Sequence, residues 1–222
     1  IFWGESGDTK PVFMPKGLSM AGSHDLIRFY NLDLQNTSSA NDYIVNFNVE
    51  GTVGEILIDN CNISKTRGVV RVQSDGAKGS IGSINIDNCV LTDIGSYGVL
   101  QTKVSGFTLN SVSLSNSTVN TLSAGGVLVT QQNNVHISID ACTFYNCVAT
   151  GKSFIDINKM SNVTVDVKNT IIGQLYSYTA ESTIKATSVK GIATTTNLFT
   201  TTDCPYNSGY EWGEILSVSS TE

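Results

Sequence analysis

Arg71 and Lys103, two cations 32 residues apart in a chain of 222, come closest in this sequence to a reactive pair. A base that removes the proton beside a carboxylate, with a cation that neutralises the enolate, is what a polysaccharide lyase acting on uronates requires. Gln101, Gln131, Asp156 and Lys185 recur at similar intervals. With Arg71 and Lys103 they make an amide-rich set that could hold hydroxyls without cleaving anything. Inverting hydrolysis would need two carboxyls about 6.5–9.5 Å apart. Asp156 is the only carboxylate in this set, so that chemistry is not expected.

Other candidates are weaker. Asp59, Asp87, Asn110 and Asp140 follow the same kind of interval, and stacked acids could hold Ca²⁺ through oxygen ligands. Turn-forming side chains explain them with less, so neither a cofactor nor a metal is expected. His24 and His136 have no acidic partner close in sequence, and no nucleophile elbow or phosphate loop occurs. The five cysteines, 61, 89, 142, 147 and 204, form no Cys-x-x-Cys pair and read as core residues. Cys61 and Cys89 would lie within disulfide reach on stacked coils, although parallel stacked thiols ordinarily stay reduced.

The elements that must position these residues announce themselves as a repeat. Glu55-Ile-Leu-Ile-Asp-Asn-Cys-Asn-Ile63 returns as Ser83-Ile-Asn-Ile-Asp-Asn-Cys-Val-Leu91, 28 residues later. Six rungs align: 27–34, 56–63, 84–91, 107–114, 137–144 and 165–172. Their shared column is Leu32, Cys61, Cys89, Val112, Cys142 and Thr170, with steps of 29, 28, 23, 30 and 28. Each rung reads apolar-x-apolar, two small or polar residues, then apolar-x-apolar, which is two period-two strands meeting at a corner. The residues before the column are Asn31, Asn60, Asn88, Ser111, Ala141 and Asn169. Asparagine is the non-glycine residue that best tolerates the left-handed backbone of a tight corner, so Asn31, Asn60, Asn88 and Asn169 are read as structural.

A third strand per coil is expected at 44–47, 69–72, 99–102, 127–130, 154–157 and 183–186. On it Arg71, Gln101, Val129, Asp156 and Lys185 would stand in one outward column, and Gln73, Lys103, Gln131, Asn158 and Thr187 in the next. The predicted fold is all-β: a right-handed parallel β-helix of about six coils with three short strands each, capped at both ends. The boundaries are an N-terminal cap at 1–25, the helix at 26–193 and a non-repeating cap at 194–222. Phe2, Trp3 and Phe13 are expected to cover one end of the stack, and the aromatics near 199–212 the other.

The rung with its corner asparagines resembles the right-handed β-helices of the pectate lyase superfamily over about residues 26–190. The run Phe154-Ile-Asp-Ile-Asn-Lys-Met-Ser-Asn-Val-Thr-Val-Asp-Val-Lys-Asn-Thr-Ile-Ile-Gly-Gln174, continuing to residue 203, resembles secreted or lipid-anchored β-helix domains of unknown function from gut Bacteroidetes. This resemblance implies a secreted or cell-surface protein whose third-strand face meets a glycan. It supplies no catalytic set, and the paired-aspartate motifs of β-helix polygalacturonases are missing from that face.

Composition sets the outer limits. Charged residues make up 14% of the chain, against roughly 25% in ordinary soluble domains, so Ser, Thr, Asn and Gly must wet the surface. Net charge is −6 and the 13 Lys and Arg form no basic run, which argues against nucleic acid as a partner. No apolar run reaches the ~20 residues that cross a bilayer, so membrane insertion is not expected. The non-repeating ends lead to an expectation of flanking domains in the same chain. Three readings remain: a non-catalytic module binding a polysaccharide or oligosaccharide through Arg71, Gln101, Lys103, Gln131 and Asp156; a lyase using Arg71 and Lys103; and a rigid spacer or adhesin stalk.

Overall fold

A computed structural model of the chain describes residues 1–7, 9–38, 42–72, 78–95, 99–102, 106–122, 128–130, 133–145, 147, 155–156, 161–173, 184–185 and 190–200. Within them every element is a strand. The N-terminal segment supplies β1 (Phe2–Trp3) and β2 (Val12–Phe13). Successive turns then lay down β3 (Gly22–Tyr30), β4 (Asp33–Gln35) and β5 (Tyr43–Phe47); β6 (Glu50–Asp59), β7 (Asn62–Thr66) and β8 (Gly68–Val72). Next come β9 (Lys78–Asp87), β10 (Val90–Ile94) and β11 (Leu100–Thr102); β12 (Phe107–Ser115), β13 (Thr118–Leu122) and β14 (Leu128–Thr130). The chain continues through β15 (His136–Asp140), β16 (Thr143–Tyr145), β17 (Ile155–Asp156), β18 (Ser161–Gly173), β19 (Ile184–Lys185) and β20 (Lys190–Thr200).

Stacking of equivalent strands makes three faces. The first face runs β1-β3-β6-β9-β12-β15-β18, the second β2-β4-β7-β10-β13-β16-β18, and the third β5-β8-β11-β14-β17-β19. All pairs are parallel, which makes the molecule an all-β parallel solenoid. Four consecutive turns carry strands of three residues or more on every face. Beyond them the third face is described only at β17 and β19, so about four full turns stand against the expectation of about six coils. Parallel pairing reaches Phe199 and Thr200, opposite Ile171 and Ile172.

Alternation explains what holds the turns together. On the first face Ile27, Ile56, Ile84, Val112, Ile137 and Val165 stack in register, and beside them Phe29, Ile58, Ile86, Leu114, Ile139 and Val167. All of these side chains are buried. Complete burial of one such residue contributes about 1.5–3 kcal/mol, and β-branched side chains suit a pleated surface. Val45, Phe47, Val70 and Val72 close the core from the third face.

The corners hold the expected left-handed residues: φ is 54° at Asn31, 51° at Asn60, 50° at Asn88, 52° at Ala141 and 50° at Asn169. The fourth rung differs from the sequence reading. Ser111 and Val112 lie inside β12, paired with Ser83 and Ile84, and the corner is Asn116, with φ 48°. The column is therefore Leu32, Cys61, Cys89, Ser117, Cys142 and Thr170, and its steps become 29, 28, 28, 25 and 28. Phe107-x-Leu109 and Val112-x-Leu114 imitate a whole rung because β12 bends without turning. The short step arises between β14 and β15: Leu100 to Leu128 is still 28 residues, whereas Val112 to Ile137 is 25. A further corner, at Lys65 with φ 52° and Asp93 with φ 51°, leads from the second face to the third and carries no asparagine to announce it.

At the N-terminal end Phe2 and Phe13 do what the sequence implied. Their rings lie 5.1 Å apart, and Phe2 lies 5.1 Å from Phe29 in the first turn. A bridge from Leu18 to Val45 completes the third side of this partial turn. Trp3 departs from the expectation: it points outward and is 69% exposed.

Candidate functional site

The third face carries the column on which the binding reading rests. Asn46 pairs with Arg71, Arg71 with Gln101, Gln101 with Val129, Val129 with Asp156 and Asp156 with Lys185. Residues dispersed over 140 positions of sequence thus occupy one line across the stacked strands, at about 4.8 Å per step. Lys103 and Gln131, with the rest of the neighbouring column, lie outside the described residues, so the Arg71–Lys103 pairing has no geometry to report.

Arg71 is half-buried between Val70 and Val72 in β8. Its guanidinium carbon lies 5.2 Å from the centroid of the Tyr43 ring, one turn below, and Tyr43 is buried. Stacking over an aromatic ring fixes the guanidinium plane and partly compensates for its lost hydration. The Arg71 Nε is buried without a hydrogen-bond partner. An unpartnered buried donor is uncommon and costs about 1–3 kcal/mol, which makes this arginine the polar group of the described third face with bonding capacity to spare.

The first face shares one such atom, the buried Arg28 Nε, but is otherwise cross-linked. Its outward polar side chains bond one another from turn to turn: Asn85 Nδ2 donates to Glu55, Ser113 Oγ to Asn85 Oδ1 at 2.7 Å, and Ser115 Oγ to Asp87 Oδ1. The acid column differs from the expected one at a single position. Asp59, Asp87, Ser115, Asp140 and Lys168 are in register, with Ser115 where Asn110 was expected, because of the slip in the fourth rung. Each acid already has a partner. Asp59 meets Arg28 at 3.2 Å, Asp87 accepts from Ser115 and Asn116, and Asp140 meets Lys168 at 3.2 Å. The hydrogen bond from Asn169, then the Lys168 ammonium, holds the Asp140 carboxyl below its usual range. Among the described residues no group of three His, Cys, Asp or Glu converges on a point that could hold a metal.

His136 has neighbours that sequence proximity could not reveal. One turn on, Thr164 Oγ1 lies 2.7 Å from Nδ1, and Asp166 lies 3.9 Å from Nε2. All three are solvent-accessible on a flat sheet, and the carboxylate is beyond hydrogen-bond length, which argues for a surface cluster over a catalytic one. His24 bonds the Ala21 carbonyl.

The cysteine column explains its own composition. Cys61, Cys89 and Cys142 donate to the carbonyls of Asp59, Asp87 and Asp140, two residues back, as Ser117 does to Ser115 and Thr170 to Lys168. In the other direction the Cys61 amide donates to Cys89 Sγ and the Cys89 amide to Ser117 Oγ. At the five corners after Leu32 a small side chain with one heteroatom therefore satisfies buried backbone groups, which Val or Leu could not do. The described cysteines 61, 89, 142 and 147 are buried free thiols. The hydrogen bond with Cys61, together with burial, pushes the Cys89 thiol up, and burial pushes Cys142 up to about 12. The same hydrogen bond from Cys89 shifts the Cys61 thiol the other way, down from its ordinary value, so the structural reading of the column rests on its burial and its backbone bonds.

The corner asparagines form a ladder of mixed composition. Asn60 Nδ2 donates to Asn31 Oδ1 at 3.2 Å, whereas Asn116 and Asn169 donate to Asp87 and Asp140.

Compared with known protein families, with curated proteins and with solved structures, the chain matches none.

Proposed function

We propose that this chain is an exported, non-catalytic solenoid module that binds a polysaccharide along its third face. The parallel register Asn46–Arg71–Gln101–Val129–Asp156–Lys185 carries this reading, because it offers an extended polymer a side chain at each strand spacing. Arg71, stacked on Tyr43 and with an unpartnered Nε, is the anchor. Lys103 and Gln131 belong to the same proposed strip by their place in the repeat. Export is supported by a surface wetted with Ser, Thr and Asn more than with charge. The resemblance to pectate lyase-like β-helices and to Bacteroidetes cell-surface domains supports a glycan as partner.

The test is incubation with pectic, alginate, glycosaminoglycan and neutral polysaccharides, read for retardation in affinity gels and for new unsaturated or reducing ends. Retardation without product, lost in Arg71→Ala, is the expected result. Unsaturated ends that vanish in Arg71→Ala and Lys103→Ala would replace the reading with a lyase. Silence throughout would leave a spacer.

A further inference from the structure

The first face bears two large aromatic side chains facing outward on adjacent rungs. Trp3 pairs in register with Tyr30, Tyr30 with Asp59 and Asp59 with Asp87, so all belong to one outward column. Trp3 is 69% exposed and Tyr30 39% exposed, although both stand in strands whose inward residues, Phe2 and Phe29, pack into the core. The backbone that follows Trp3 is tied to the first turn. The Gly4 amide donates to the Tyr30 carbonyl at 2.9 Å, and Asn31 Nδ2 reaches the carbonyls of Gly4 and Glu5 at 3.3 and 2.9 Å. Beside the pair, Arg28 places its guanidinium 4.9 Å from the Tyr30 ring centroid and bonds Asp59 through Nη2 at 3.2 Å.

From this arrangement we infer that Trp3, Tyr30, Arg28 and Asp59 form a second binding site, which takes an uncharged pyranose chain. A pyranose ring has apolar C–H faces and a rim of hydroxyls. Outward aromatic rings, which have only two side-chain torsions to order, match the faces, and a few polar groups match the rim. The charge pattern selects among ligands. Arg28 and Asp59 neutralise each other, so the pair offers one strong donor and one strong acceptor side by side, while Asp87, next in the column, is engaged by Ser115 and Asn116. A hydroxyl-rich neutral ligand uses both, whereas an anion or a cation would be repelled by one of them. The site lies on a different face from Arg71, and the two stand or fall separately.

The chain has two tryptophans, Trp3 and Trp212, so a Trp212→Phe background makes emission report on Trp3. Titration with cellohexaose, mannohexaose and xylohexaose is expected to shift that emission for at least one of them. By calorimetry, Trp3→Ala and Tyr30→Ala should weaken binding about fivefold to tenfold, while Tyr30→Phe retains it. Val90→Ala, an exposed position on the second face, should leave it unchanged. Because Trp3 and Tyr30 are exposed, both alanine variants should melt with the parent, which a circular-dichroism scan checks. Absence of any shift, unchanged affinity in Trp3→Ala, or binding of tetramethylammonium in preference to all three sugars would overturn the inference.

Discussion

A single residue at each corner decides whether the chain can change face. A left-handed conformation reverses which neighbour the backbone addresses: the Asn60 amide donates forward to Asp87, and the Asn62 amide donates back to Leu32. Asparagine makes this visible in sequence at 31, 60, 88 and 169. Ala141, with φ 52°, adopts the same conformation without the side chain that suits it, and spacing alone located it. Asn116 is masked in the sequence, because the alternation of β12 by itself fits the rung pattern. Asn60→Val should lower stability by about 1–3 kcal/mol, since a β-branched side chain resists this backbone region. Asn60→Gly keeps the conformation and loses only the bond to Asn31, a change of about 1 kcal/mol or less. Urea unfolding of both variants distinguishes them, and equal losses would contradict the backbone explanation.

At the level of the element, close approach between turns adds a constraint that alternation does not show. Gly79, second in β9, has φ +117°, and a Cβ there would run into the Gly51 carbonyl of the turn below. Both conditions require glycine, whereas a Cβ on Gly7 would meet nothing within 4 Å. Gly79→Ala should therefore cost about 3 kcal/mol or more, with Gly7→Ala close to neutral, in thermal or urea unfolding. Comparable effects would show that the strands slide apart to make room. The third-face register was legible because β5 and β8 share the apolar-apolar-x-apolar pattern and β11 repeats it with Thr102 in the last place. What it places beside Arg71 was not: the ring beneath it comes from Tyr43, outside that pattern.

On the scale of the whole molecule, a solenoid has no centre, and each turn is stabilised by its two neighbours. Its ends are its weakest points. Phe2 and Phe13 cover Phe29 and Leu34, which would otherwise face water. Phe13→Ala should speed amide hydrogen exchange in β1 to β4 while leaving β12 and β15 unchanged, with a loss of about 1–3 kcal/mol for a half-buried ring. A uniform rise in exchange would mean that the stack unfolds as one unit and that the cap acts globally.

Taken alone, the sequence determined the period, the parallel solenoid, most corners and the third-face column, because each follows from local alternation repeated at a near-constant interval. Only the tertiary structure decided that Ser117 belongs to the thiol column, that its heteroatoms satisfy buried backbone groups, that Thr164 and Asp166 flank His136, and that Trp3 faces outward beside Tyr30. The physical reason is the same in every case. These contacts join residues about 28 positions apart, and their partners are set by which turn lies above or below, a relation that no short stretch of sequence contains.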